Sequence, residues 1–287
     1  VTSKKESTHL WYIKYKIYDT NDNLIIATTR PETLFGDTAI AVNPKDKRYT
    51  HLKNKKIIIP IINKIIPIIY DEYVDINFGT GCLKITPAHD FNDYKLAKKY
   101  SLKIINILTP EATLNNNAPK QYINIDRFEA RNKILKELEY LNLIYKKEIH
   151  NINIPRCDRT NSIIEPYITN QWYIKMKNLS EKAIKQVKNK SIKFIPPQWK
   201  KTYFNWMNNI EDWCISRQLW WGHRIPVWYN NKNIYVGYNK KYIKNKYNIS
   251  EKNLIQDNDV LDTWFSSALW PFGTIGWPNK NKEYYTY

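Results

Sequence analysis

The chain has 287 residues, 43% hydrophobic, 14% aromatic and 25% charged, with a formal net charge of +18, a composition that reads as soluble and globular rather than disordered. No run reaches the roughly 18 uninterrupted apolar residues of a membrane span, because the most apolar stretch, Ile57 to Tyr70, is broken by Pro60, Asn63, Lys64 and Pro67. Val1 to Ser7 is polar and charged, unlike a signal peptide, and the isolated Cys82, Cys157 and Cys214 argue against a disulfide scaffold or a cysteine-pair zinc site and fit a reducing cytoplasm.

In chain order, Leu10 to Tyr18 and Asn23 to Thr29 predict strands, and Asp37 to Val42 continues the pattern. Ile57 to Pro60 and Lys64 to Tyr70 are short apolar strands, and Cys82 to Thr86 follows the turn Gly79-Thr80-Gly81 as another. Asn92 to Tyr100 reads as a short helix, and Leu114 to Tyr122, with three consecutive asparagines and Pro119, as a loop. The clearest helix is Asp126 to Leu143: Asp126 suits the N-cap with Glu129 three residues on, and Phe128, Ile134, Leu135, Leu138 and Leu141 form an apolar stripe. Beyond residue 146 the texture changes. Ile152 to Tyr173 is extended and proline-punctuated, Leu179 to Val187 is helical, Lys188 to Lys201 is a basic connector, and tryptophans crowd the chain from Trp206. These features predict an α/β (α+β) chain in four parts: a leading strand and linker (1–22), a β-rich, barrel-like domain with flanking helices (23–147), an extended linker (148–205) and a tryptophan-rich remainder (206–287).

Two clusters carry the chemistry. In Ala27-Thr28-Thr29-Arg30-Pro31-Glu32-Thr33-Leu34, proline keeps Arg30 out of the helical region and itself suits the first position of a helix. Glu32 then sits in the first turn, near the positive end of the helix dipole. The resulting corner presents threonine hydroxyls, backbone N–H groups and one arginine, a setting for an oxygen-rich ligand. In Phe78-Gly79-Thr80-Gly81-Cys82-Leu83-Lys84-Ile85-Thr86-Pro87-Ala88-His89-Asp90-Phe91-Asn92-Asp93-Tyr94, Lys84 and Thr86 alternate to one strand face, and Asp90 and Asp93 share one side of a helix start. A capping role for Asp90, with Asp93 in solvent, is the alternative. The charge adds little. Only 8 of 45 basic residues are Arg, and the crowding of Lys, Asn, Ile and Tyr is what AT-rich coding produces, so the +18 by itself does not identify a nucleic-acid partner.

The segments ATTRPETLFGDTAIAVNPKD and GTGCLKITPAHDFNDY resemble the two signature stretches of the editing domain in class I aminoacyl-tRNA synthetases for valine, isoleucine and leucine. Lys84 and AHDFNDY resemble the valyl form. Asp212 to Trp228 and Asp259 to Pro271 resemble the stretches where such a chain returns to its nucleotide-binding core, so 23–147 is expected to be an editing domain and 206–287 a partial Rossmann-like catalytic core. Neither a HIGH-like nor a KMSKS-like motif occurs. The resemblance therefore implies ATP, with Mg, only for a full-length parent, and no cofactor for editing. Many relatives hold zinc near Ile152 to Trp172; the lone Cys157 there makes a metal unexpected.

The resemblance implies hydrolysis of tRNA(Val) mischarged with threonine, the chain acting as a cytoplasmic monomer on the tRNA acceptor end. An apolar pocket rejects an added hydroxyl only about a hundredfold, a value known for this very pair of amino acids and not drawn from this chain. A second site that hydrogen-bonds the hydroxyl inverts the preference. Asp90 is the candidate reader of that hydroxyl, Asp93 the partner of the α-ammonium, and Lys84 and Thr86 the groups orienting water or stabilising the oxyanion. Thr28, Thr29, Arg30, Glu32, Thr33, Phe78 and Gly79 are candidates to cradle the terminal adenosine and ester. Trp220, Trp221 and Trp264 are candidates for a valine-activation pocket. A non-catalytic acceptor-end docking module and an isoleucyl-type editor clearing Val-tRNA(Ile) stay open.

Overall fold

A 16-residue strand, β1 (Thr2–Ile17), organises the first half of the chain. Along one edge it pairs antiparallel with β7 (Ile144–Arg156), from Thr2↔Arg156 to Ile13↔Ile144. Along the other it meets β2 (Asn23–Thr28), and the end of the β7 edge is taken by β4 (Lys56–Ile58). β5 (Ile65–Tyr70), β3 (Ala39–Val42) and β6 (Cys82–Ile85) complete a seven-stranded sheet of order β2-β1-β4-β5-β3-β6. The sheet curls into a half-barrel flanked by helices, the mixed α/β architecture that the sequence predicts. This computed structural model describes residues 1–279 and 282–286.

The core follows from side-chain alternation. In β3, Ile40 and Val42 enter one apolar cluster with Ile13, Ile26, Leu34, Phe35, Ile57 and Leu138, while Ala39 and Ala41 enter another with Ile69, Ile85 and Leu96. A strand buried on both faces needs apolar residues at every position, and AIAV supplies them. Small Ala39 and Ala41 leave room on their side for α1 (Phe91–Lys99), whose Leu96 packs there. The helix α2 (Arg127–Tyr140) is capped by Asp126, which accepts from the amides of Phe128 (2.8 Å) and Glu129 (3.4 Å). Its buried stripe is Ala130, Ile134 and Leu138, one residue per turn. Leu141, placed in that stripe by the sequence, is 44% exposed beyond the helix end.

The chain divides at Thr169/Asn170 into two compact units, and the predicted boundaries fall elsewhere. The one at 147/148 lies inside β7, and residues 2–17 are a central strand of the first unit. Backbone pairing to β1 is what draws residues 144–156 into the first unit; the sequence around them shows only proline and charge. The boundary at 205/206 falls within α4 (Trp199–Asn208), which belongs with α3 (Lys177–Lys188) to the second unit. There the described strands pair antiparallel in sheets of two and three: Tyr173–Ile174 with Trp213–Cys214, Ser216–Arg217 with Val260–Leu261, and Val227–Asn230 between Asn233–Val236 and Ile255–Gln256. Among the described residues no helix is long and apolar enough to cross a membrane.

Candidate active site

The corner after β2 forms as its sequence dictates, in a tighter helix than expected. Thr28 Oγ1 accepts from the Arg30 amide (3.0 Å), and Pro31 opens a 3-10 helix, Pro31–Gly36. Thr33 Oγ1 donates back to the Arg30 carbonyl (3.0 Å). The sheet brings β6 alongside β3, with Lys84 opposite Ile40. After Thr86 the chain turns into α1, where Asp90 Oδ1 accepts from the amides of Asn92 (2.8 Å) and Asp93 (3.1 Å) as N-cap.

Asp93 is not the solvent-facing residue that a simple helix start implies. It is 6% exposed, and its Oδ2 accepts from the Thr86 amide (2.8 Å). Burial pushes its carboxyl up to about 7, further raised by Asp90 and opposed by the Thr86 amide and Lys84. Lys84 is also buried. Its ammonium donates to Thr33 Oγ1 (2.7 Å), Asp37 Oδ1 (3.0 Å) and Thr86 Oγ1 (2.6 Å). His89 is 1% exposed, and burial, reinforced by Arg30 and Lys84, holds its imidazole down to about 3. It is therefore neutral. Its Nε2 accepts from the Ile107 amide (3.1 Å), which places the proton on Nδ1, a buried atom with no hydrogen-bond partner among the described residues.

These groups surround a cavity of about 270 Å³ lined by Thr28, Thr29, Arg30, Thr33, Phe78, Lys84, Thr86, Asp90 and Asp93, together with Tyr73, Asn92, His89 and, from β7, His150 and Ile152. Phe78 meets His150 edge-on at 5.6 Å between ring centres. The sequence missed Tyr73 and His150, which carry no local signal, and Asp37, which stands within the first signature stretch. Among the described residues no three His, Cys, Asp or Glu side chains are disposed to hold a metal ion.

Two predicted ligand contacts are corrected. Glu32 is fully buried and does not line the cavity; Arg131 of α2 binds it through Nε (2.7 Å) and Nη2 (2.8 Å), and Arg30 Nε lies at 3.4 Å. Gly79 does not line the cavity; it makes the turn before β6. Gly79 and Gly81 have φ of +58° and +76°, and a Cβ on Gly81 would stand 2.5 Å from Arg48 Nη2 and 3.1 Å from the Ile76 carbonyl. Gly81→Ala is expected to cost about 1–3 kcal/mol of stability, read from the midpoint of urea unfolding. Arg30 itself is not a free cation: Nη1 donates to the His89 carbonyl (2.9 Å) and Nη2 pairs with Glu165.

In the second unit Trp220 and Trp221 are fully exposed and line a separate cavity of about 490 Å³ with Leu219, Gly222, Arg224, Asn258 and Val260. Trp264, on the helix Thr263–Ala268, is 75% exposed and does not line it.

Residues 14–287 match the family of class I tRNA synthetases (I, L, M and V), and the chain belongs to that family. Within it, similar curated proteins include valine--tRNA ligases. That of Legionella pneumophila (strain Lens) is 55% identical over 285 residues, covering 99% of this chain and 31% of the relative. Those of Francisella tularensis and Pelagibacter ubique are 53% and 54% identical, covering 96% and 99% of this chain and 30% and 33% of their own lengths. The chain thus spans about a third of the length of these relatives. A solved LeuRS-tRNA-LeuAMS complex of Agrobacterium radiobacter K84 matches 96% of this chain and 32% of its own at 13% identity and a TM-score of 0.38.

Proposed function

We propose that the first unit hydrolyses tRNA(Val) mischarged with threonine, as the editing part of a longer valine--tRNA ligase. The observation that carries this reading is the buried carboxylate of Asp93, spent on a single backbone amide, at the wall of a cavity that threonines also line. Such a wall suits a ligand bearing a cation and a hydroxyl. Asp93 takes the α-ammonium in a charge-assisted contact. Asp90 keeps one carboxylate oxygen beyond its cap bonds and reads the side-chain hydroxyl. Valine would leave these polar groups unpaired.

Water attacks the ester carbonyl, the ribose oxygen leaves with a proton, and free threonine and tRNA result. The Thr86 hydroxyl oxygen orients the water by accepting from it, and the positive charge of Lys84 stabilises the developing oxyanion. The aminoacyl ester is already reactive, so positioning supplies most of what is needed. Thr28, Thr29, Arg30 and Phe78 hold the terminal adenosine. The step uses no cofactor, and ATP with Mg belongs to the aminoacylation of the longer enzyme, in the cytoplasm.

The test is release of amino acid from purified Thr-tRNA(Val), Val-tRNA(Val) and Val-tRNA(Ile). Threonine should leave at least about 100-fold faster than valine. Asp90→Ala should narrow that ratio and, through the lost cap, cost about 1 kcal/mol of stability. Binding without release would leave only a docking role, and preferential clearance of Val-tRNA(Ile) would move the chain to isoleucyl editing.

A further inference from the structure

We propose that Glu165 is a positioning residue for this hydrolysis, holding the guanidinium of Arg30 so that its free N–H groups meet the ligand. The proposal rests on the editing reading of the cavity, in which Arg30 grips the terminal adenosine. Glu165 comes from the segment that follows β7, and the chain doubles back to deliver it. The Cys157 amide donates to the Ser162 carbonyl (2.9 Å), the Asn161 amide to the Cys157 carbonyl (2.8 Å) and the Ile164 amide to the Pro155 carbonyl (2.9 Å). Asn161 turns the corner with φ of +57°, a backbone setting that asparagine adopts more readily than most residues. Pro166 then keeps Glu165 extended.

A count of donors shows what Glu165 does. A guanidinium carries five N–H donors and no acceptor. Arg30 spends three: Nη1 on the His89 carbonyl (2.9 Å), Nη2 on Glu165 Oε2, and Nε on Glu32 Oε1 at a long 3.4 Å. Two remain, one on each terminal nitrogen, and Arg30 lines the cavity while Glu165 does not. Glu32 is a weak anchor for Arg30, because both its oxygens already serve Arg131. The planar fork is therefore fixed in direction by Glu165 on one prong and the His89 carbonyl on the other. Unpinned, a long flexible side chain samples many rotamers, and freezing it when the ligand arrives weakens affinity.

Glu165 also faces a second cation. Arg127 of α2, 9% exposed, places its Nε 3.0 Å from Glu165 Oε1, a charge contact out of hydrogen-bond alignment. A purely structural Glu165 would serve Arg127 and the charge balance of the cluster, in which the guanidiniums of Arg30, Arg127 and Arg131 meet the carboxylates of Glu32 and Glu165. Its loss would then lower the melting temperature and leave substrate affinity alone. Positioning requires a loss that runs through Arg30.

The test uses the full chain and Thr-tRNA(Val), with Glu165→Ala, Glu165→Gln, Arg30→Ala and the double variant Glu165→Ala/Arg30→Ala, each well below its melting temperature. Glu165→Ala should raise KM about tenfold with kcat changed less than about threefold, the signature of lost uniform binding. Glu165→Gln, which replaces a charge-assisted bond with a neutral one, should raise KM about threefold. In the Arg30→Ala background, Glu165→Ala should add less than about twofold, because the two side chains act as one unit. A second readout is independent of activity: labelling by phenylglyoxal, an arginine-specific dicarbonyl, followed by peptide mass spectrometry. Arg30 should label about five- to tenfold faster in Glu165→Ala than in wild type, while the exposed Arg224 labels equally.

Wild-type KM and Arg30 labelling in a folded Glu165→Ala variant overturn the proposal, whatever its melting temperature. A double variant whose KM rises by the product of the two single effects overturns it as well. Should Glu165→Ala not fold, wild-type KM and labelling in Glu165→Gln overturn it. If the wild-type chain releases no amino acid, the editing reading fails, and labelling alone decides whether Glu165 holds Arg30.

Discussion

Asp93→Asn is expected to slow threonine release by about 100-fold or more, with the loss in kcat/KM rather than in folding. A hydrogen bond to a charged group contributes about 1.5–3 kcal/mol, and a contact that also orients the reacting ester adds to that in the transition state. The wild-type rate should rise between about pH 6 and 8, because the carboxyl titrates near 7 and only the anion pairs with an ammonium. In the variant that rise should vanish once uncatalysed ester hydrolysis is subtracted. The sign on stability is opposite. The folded state holds the Asp93 proton more tightly than the unfolded chain, whose value is 3.8. The stability this confers is complete below 3.8 and is lost as pH climbs through 7. Asp93→Asn should therefore melt above wild type at pH 8 and close to it at pH 4. A variant that is equally active, or less stable at pH 8, would remove Asp93 from the site.

Glu32→Ala is expected to act on the fold and to cost about 3–5 kcal/mol, the range for breaking a buried ion pair from one side. For a unit of this size that corresponds to a fall in melting temperature of about 10 °C or more. Burial pushes the Glu32 carboxyl up, but the Arg131 hydrogen bonds and the charges of Arg131 and Arg30 more than offset it and hold it below the ordinary value of 4.5. Its contribution is thus present above 4.5 and is lost as pH falls through the lower folded value. Arg131→Ala should cost a similar amount, and the double variant less than the sum, because the two share one interaction. If Glu32→Ala keeps the wild-type melting temperature and loses tRNA affinity instead, Glu32 is a ligand contact after all.

These two residues mark how far the sequence could be read. The corner at Arg30-Pro31 and the helix start at Asp90 are local, since proline geometry and capping operate over three or four residues, and both were legible. Asp93 was placed at the site, but its burial was not legible. That depends on the small faces of Ala39 and Ala41, which let α1 settle against the sheet. Glu32 looked like a ligand contact because its partner, Arg131, stands 99 residues away on α2. Asp37 was in view within a signature stretch and gave no sign of its contacts, which need Lys84 and Tyr15 brought in from two other strands. The division at 147 failed for the same reason: strand partners in β1 and β7 are more than a hundred residues apart, and hydrophobic pattern does not reach that far.

The pairing of Thr2–Ile13 with Ile144–Arg156 also sets the order of events as the polypeptide leaves the ribosome. β1 is made well before β7, and most of one of its edges stays unpaired until about 140 further residues have been synthesised. During that interval it is an open template for another chain. The residues at that edge include Lys4, Lys5, Glu6 and His9, charged and polar groups of the kind that discourage a wrong strand from docking. Completion of the sheet is therefore a late, long-range closure, with the nascent edge guarded by its own side chains.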